Sequence, residues 1–175
     1  MLFRSQAPLA TFMADRLAYL LEQRGFDVRS VRAVMAAGVE QTSPLEARLK
    51  LEALAKMSGS PALQSVGRLL KRAKNITKDV PFFTARIVVE PLKDPAEQAL
   101  ANAIETQRPG IRDAVKRADF MSAFTTISSW QPTVEKFFDD VLVMAEDKAL
   151  REARVSLVAT LRDSILEIAD ISEIV

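Results

Sequence analysis

The chain has 175 residues, 49% of them hydrophobic, with 24 Lys and Arg against 23 Asp and Glu and a formal net charge of +1. Cysteine and histidine are both absent, which excludes disulfides, thiolate metal sites and any Ser-His-Asp or Cys-His mechanism within the chain. Five glycines and abundant Ala and Leu favour helices over turn-rich sheets or disorder; no apolar run approaches the roughly 20 residues that cross a bilayer, and the N-terminus does not read as a secretory signal, which fits a cytoplasmic chain.

Leu9, Phe12, Met13, Leu17, Leu20 and Leu21 keep the three-and-four spacing of one buried face and predict a first helix over about 9–24, closed by Gly25. Asp27 caps a short second helix with Val28, Val31, Val34 and Met35 inward and Gly38 at its C-cap. Ser43-Pro44-Leu45-Glu46 has the form of a capping box and starts a third helix that ends near Gly59. Ser60-Pro61 opens a fourth in the same way, reaching about Lys78.

An irregular linker over 80–93, punctuated by Pro81 and Pro91, joins halves of about 1–79 and 94–175. Phe82 and Phe83 are expected to pin it to the core, and 87–89 to run extended. Asp94-Pro95-Ala96-Glu97 repeats the capping pattern and starts a fifth helix to about Gln107. Pro109-Gly110 is expected to break or kink the chain before a short helix to about Ala118; further helices follow over 119–129 and from Pro132 to Met144. A last helix over about 147–169 buries Leu150, Leu157, Val158, Leu161, Ile165 and Ile168. The expectation is all-α: a single domain, 1–175, built as a bundle of about seven to nine helices, with no βαβ alternation and no glycine-rich phosphate loop.

Charge is divided unevenly. Residues 1–80 hold 13 Lys and Arg and 7 Asp and Glu, leaving 11 and 16 for residues 81–175. On the fourth helix Arg68, Lys71, Arg72, Asn75 and Lys78 fall broadly on one face, opposite Leu63, Val66, Leu70 and Ala73, and no acidic residue interrupts them. Solvated faces usually mix both signs, so this row is either a solubilising surface or a ridge that tracks phosphates, with Asn75 able to donate to and accept from a base edge. Arg29 and Arg32 are weaker phosphate-contact candidates. Lys56-Met57-Ser58-Gly59-Ser60 has the look of a class I synthetase signature loop, but without histidine or a doubly wound pattern it reads as a helix end followed by an N-cap. Trp130, Phe137 and Phe138 are candidates to stack on unpaired bases; the apolar run with Val141 and Leu142 makes at least one of Phe137 and Phe138 core, and Trp130 is expected to be partly exposed. Asp139-Asp140 and Glu146-Asp147 lack the spacing of a calcium loop, and Asp147 reads as an N-cap. Lys148, Arg151 and Arg154 form a second basic patch or an ordinary mixed-charge surface.

Phe137-Phe138-Asp139-Asp140-Val141-Leu142-Val143-Met144-Ala145-Glu146-Asp147, with Ala149-Leu150-Arg151 and the terminal Ala169-Asp170-Ile171-Ser172, resembles the C-terminal DALR-type anticodon-binding domain of bacterial glycyl-tRNA synthetase β subunits. Residues 12–21 with Gly25-Phe26, the stretch 27–37, Lys71-Arg72-Ala73-Lys74-Asn75-Ile76, Glu90-Pro91 and Glu97-Gln98-Ala99-Leu100 extend the likeness over nearly the whole chain. The resemblance implies a domain of a longer subunit that grips the anticodon stem-loop of glycine tRNA, with no catalytic residue, cofactor or metal of its own. The rest of the β subunit and the α subunit are then its partners, and the complete ligase uses ATP and magnesium elsewhere. Glycine tRNAs carry two adjacent anticodon cytosines, whose acceptors suit donors such as Arg68, Arg72 and Asn75. The competing reading is a helical protein–protein interaction module without RNA binding; a free-standing enzyme, limited to Asp, Glu, Lys or Tyr as acid or base, ranks behind both.

Overall fold

Six helices begin where a short oxygen-bearing side chain meets an orphan backbone N–H. Asp27, Ser43, Ser60, Asp119 and Asp147 each accept from the amide three residues on, at 2.7–3.2 Å. Asp94 accepts from Ala96 while Glu97 reaches back to the Asp94 amide, completing a reciprocal cap. The computed structural model describes residues 6–37 and 43–175. Its helices are α1 (Gln6–Gln23), α2 (Val28–Ala36), α3 (Pro44–Met57), α4 (Pro61–Ile76), α5 (Pro95–Lys116), α6 (Phe120–Ser129), α7 (Gln131–Asp140) and α8 (Lys148–Leu166), followed by a 3-10 turn at Ile171–Glu173. Gly59, at φ +75°, turns the chain between α3 and α4 as a helix end followed by an N-cap. The Gly38 C-cap lies outside the described residues.

α8 is the centre of the assembly. Every residue from Leu157 to Leu166 is buried, and α4 and α5 both pack against it. α5 also packs on α6 and α7, while α2 and α4 meet the 3-10 turn. Burying a residue such as Leu157, Leu161 or Ile165 in such a place contributes about 1.5–3 kcal/mol.

Several expectations are corrected. α5 runs unbroken through Pro109. The proline removes one hydrogen bond and crowds the preceding turn, at about 3 kcal/mol. Leu100 and Ile104 before it and Ile111 and Ala114 after it are all buried, and that packing outweighs the local cost. Only Leu21 of the six apolar residues on α1 is fully buried and Leu17 partly so; Leu9, Phe12, Met13 and Leu20 are exposed, as is Val28 on α2. The spacing reported an amphipathic helix, but α2 is the main element packed on it. α7 stops at Asp140, and α8 stops at Leu166 with Ile168 buried beyond it. No strand forms among the described residues, so 87–89 is coil.

The linker is pinned by a cation rather than by its phenylalanines. Phe82 and Phe83 are 55% and 54% exposed. Arg162, 1% exposed, donates to the Thr77 carbonyl at 3.0 Å, the Thr77 hydroxyl at 2.9 Å, and the Val80 and Pro81 carbonyls at 3.0 and 3.3 Å. Its Nε donates to Asp163 at 2.8 Å, and its guanidinium lies 4.3 Å from the Phe82 ring centroid. Asp163 in turn accepts from the Phe83 amide at 2.8 Å, holding Phe83 at φ +59°. Every donor on the buried charge is thus met.

Arg162→Met is expected to leave Asp163 without its cation and to cost about 3–5 kcal/mol in urea unfolding, part of which Asp163→Asn restores on the same background. The Asp119 carboxylate is held below its ordinary value of 3.8 by hydrogen bonds from the Ser122 side chain and amide. A lowered folded value means stability that is present above the unfolded value and lost as pH falls through the folded one. Asp119→Asn is therefore expected to flatten the acid limb of a thermal-unfolding series.

Candidate nucleic-acid interface

α4 owes its orientation to Leu63, Val66, Leu70 and Ala73, all buried, and to Gly67. A Cβ at Gly67 would stand 2.4 Å from the Val175 side chain and 3.2 Å from the Ile171 carbonyl, so only glycine lets the C-terminal segment close on the helix. This packing leaves Arg68, Lys71, Arg72 and Asn75 exposed on one face of α4, as their spacing predicts; Lys78 is exposed too, but in the turn that follows, because the helix stops at Ile76 rather than at Lys78.

Internal contacts aim part of this row. The Arg68 guanidinium donates to the Ser65 hydroxyl at 3.0 Å. Lys71 donates to the main-chain oxygen of Val175, the last residue of the chain. Arg72 donates to the Phe138 carbonyl at 3.3 Å and lies 4.2 Å from the centroid of the Phe138 ring. The Ser65 hydroxyl and the Phe138 carbonyl fix geometry without cancelling charge. Among the described residues no Asp or Glu comes within ion-pair distance of Arg68, Lys71, Arg72 or Lys78. Lys74, on the same helix, is by contrast neutralised by Asp170 at 2.6 Å and also donates to Ser172 at 3.1 Å.

Arg29 and Arg32 are exposed on α2 and likewise lack a carboxylate partner among the described residues. α2 is tied towards α4 through one residue: the Asp170 amide donates to the Ala33 carbonyl at 2.8 Å while its carboxylate holds Lys74. No hydrogen bond joins either arginine to the α4 row.

Other candidates are absorbed by the fold. Trp130 is 2% exposed and donates to Gln107 at 2.7 Å, so it is core rather than a stacking platform; sitting where α6 meets α7, it is enclosed by both helices. Phe137 and Phe138 are buried edge to face. Arg154 pairs at 2.5 Å with the fully buried Glu97. Arg151 donates to the carbonyls of Ala145 and Glu146, and Lys148 faces Glu152 at 3.8 Å. That surface is a structural, mixed-charge one. On α7, Lys136 is held above its ordinary value by the hydrogen bond and then the charge of Asp140.

A second group of cations escaped the sequence reading. Arg108, Arg112 and Lys116 repeat every four residues on α5, and with Arg86 of the linker they line a cleft of about 470 Å³. The signal was their i, i+4, i+8 spacing, which is lost once a helix break is placed at Pro109-Gly110.

Residues 64–174 match the DALR anticodon binding domain family, and the chain belongs to it. The α4 row and the α5 cleft both lie mainly within the matched region, whereas Arg29 and Arg32 precede it. The chain is similar to the glycine–tRNA ligase beta subunit of Ralstonia nicotianae, 33% identical over 168 residues that make up 96% of this chain and 24% of that protein. It is similar also to the beta subunits of Dechloromonas aromatica, 34% identical over 171 residues (97% and 24%), and Anaeromyxobacter dehalogenans, 39% identical over 167 residues (93% and 23%). The chain spans about a quarter of the length of these relatives.

Gly67→Ala is expected to lower stability by about 1–3 kcal/mol in thermal unfolding, because the added methyl group meets the packed C-terminal segment.

Proposed function

We propose that this chain is the anticodon-gripping domain of a glycine–tRNA ligase beta subunit, holding the anticodon stem-loop of glycine tRNA during ATP-dependent aminoacylation. It supplies binding rather than chemistry. ATP and magnesium act elsewhere in the complete enzyme, and the remainder of the β subunit and the α subunit are its partners in the cytoplasm.

The observation that carries this reading is the α4 row inside the matched anticodon-binding region: cations that no Asp or Glu side chain pairs among the described residues, two of them, Arg68 and Arg72, anchored by neutral acceptors. Such charges release counterions when they meet phosphates, and the anchoring lowers the entropy lost on contact. Arg68, Lys71, Arg72 and Lys78 serve as the phosphate ridge, Arg29 and Arg32 extend it, and Asn75 offers a base edge both a donor and an acceptor.

A second reading, a helical protein-interaction module without RNA binding, draws on the apolar face of α1, where Met13, Leu17 and Leu20 help line a groove of about 390 Å³. Titration of the chain with a labelled glycine tRNA anticodon stem-loop, beside a loop with both cytosines changed, separates the two. The RNA reading expects binding that weakens with salt and is poorer for the changed loop. Arg68→Gln and Lys78→Gln are expected to weaken both loops alike, each lowering the slope of log affinity against log salt by about 0.7. Asn75→Ala is expected to narrow the difference between the loops. Salt-insensitive or absent binding would favour the interaction module.

A further inference from the structure

We infer that the α5 cleft is a second RNA subsite, taking one unpaired nucleotide with its phosphate; this rests on the RNA-binding reading above. The cleft has two kinds of wall. Ile87 from the linker, Ile104 and Pro109 give it an apolar floor, and Arg86, Arg108, Arg112 and Lys116 give it a cationic rim.

Glu105 and Asp113 also line the cleft and Glu167 stands beside it, but these carboxylates do not neutralise the rim pair by pair. A single carboxylate oxygen, Oε1 of Glu167, serves both Arg108 at 3.3 Å and Arg112 at 3.0 Å. The Lys116–Asp113 pair is long, 3.7 Å, and exposed on both sides, so it is screened and weak. Arg86 has no carboxylate partner among the described residues. The Nε of Arg108 is buried and has no acceptor among the described residues. A buried donor without an acceptor is costly, and burial makes its field on an incoming anion stronger than at an open surface.

The floor argues for a nucleotide over a bare anion. An unpaired base or ribose lays an apolar face on Ile87 and Pro109 while its phosphate meets the guanidinium rim, the combination by which single-stranded RNA is held. The linker that forms one wall is itself fixed: the Ser156 hydroxyl of α8 donates to the Arg86 carbonyl. The subsite is thus formed before RNA arrives.

The test uses the same stem-loop titration with two variants of the intact chain. Arg112 and Lys116 are 51% and 77% exposed, so Arg112→Gln with Lys116→Gln removes rim charge without opening the core, which an unchanged Tm verifies. The pair is expected to weaken RNA binding severalfold and to lower the salt slope by roughly 0.7 for each cation removed. Asn75→Ala on α4 with Lys78→Gln just beyond it, the α4 variant, serves as the comparison. If the α4 variant loses affinity while the α5 variant matches the parent in affinity and slope, the cleft is not an RNA subsite and the RNA reading stands. If the parent chain binds no RNA at low salt, both fall. Binding of cytidine 5′-monophosphate that the α5 pair abolishes, with stem-loop affinity unchanged, would make the cleft a site for free nucleotides and overturn the proposal.

Discussion

A guanidinium enclosed by the interior of a helical bundle is the constraint on which the rest of the molecule depends. Arg162 cannot lose its charge, so the fold must surround it with acceptors. It finds them in the end of α4 and the first residues of the linker, segments whose carbonyls have no helix to complete. One side chain thereby satisfies the frayed end of one element and fixes where the next begins. The two halves of the chain, α1 to α4 and α5 to α8, are held in register at this point. Lys78 on one side and Arg86 on the other leave from opposite ends of the same anchored segment.

The molecule divides its cations between two kinds of work. Arg154 and Arg162 face buried carboxylates, Lys50 is buried against Glu46, and Lys74 binds Asp170. These charges hold elements together and have little left for a ligand. The α4 row and the α5 cleft keep theirs, the first by leaning its arginines on a hydroxyl, a carbonyl and a ring, the second by crowding two guanidiniums onto one carboxylate oxygen. Net charge near zero conceals this division, because it counts paired and unpaired cations alike.

What the sequence made legible follows from how local each signal is. Caps and helix starts need only a few consecutive residues, and Asp27, Ser43, Ser60, Asp94, Asp119 and Asp147 were all readable. The burial of Leu63, Val66, Leu70 and Ala73 followed from their spacing, and that fixed which face of α4 carries the basic row. The misses are events at a distance. Pro109 reads as a breaker because the buried residues that hold α5 straight are packed by other helices. Phe82 and Phe83 read as anchors because aromatic residues usually bury themselves, while the true anchor, Arg162, stands some 80 positions away. Trp130 lay beside a proline, which suggests exposure, yet its N–H finds Gln107 on α5. The α1 face has the right spacing for burial, but spacing does not say whether a neighbour is there.

The enclosure of α8 bears on the order in which the protein can be made. Translation delivers α1 to α7 first, yet α4 and α5 need α8 between them before their inner faces are covered, and the linker needs Arg162 before its carbonyls are met. Until that helix leaves the ribosome, α5 can meet α6 and α7, but the faces of α4 and α5 that pack on α8 stay open to water. The central strut of the bundle is therefore delivered after the helices it must join.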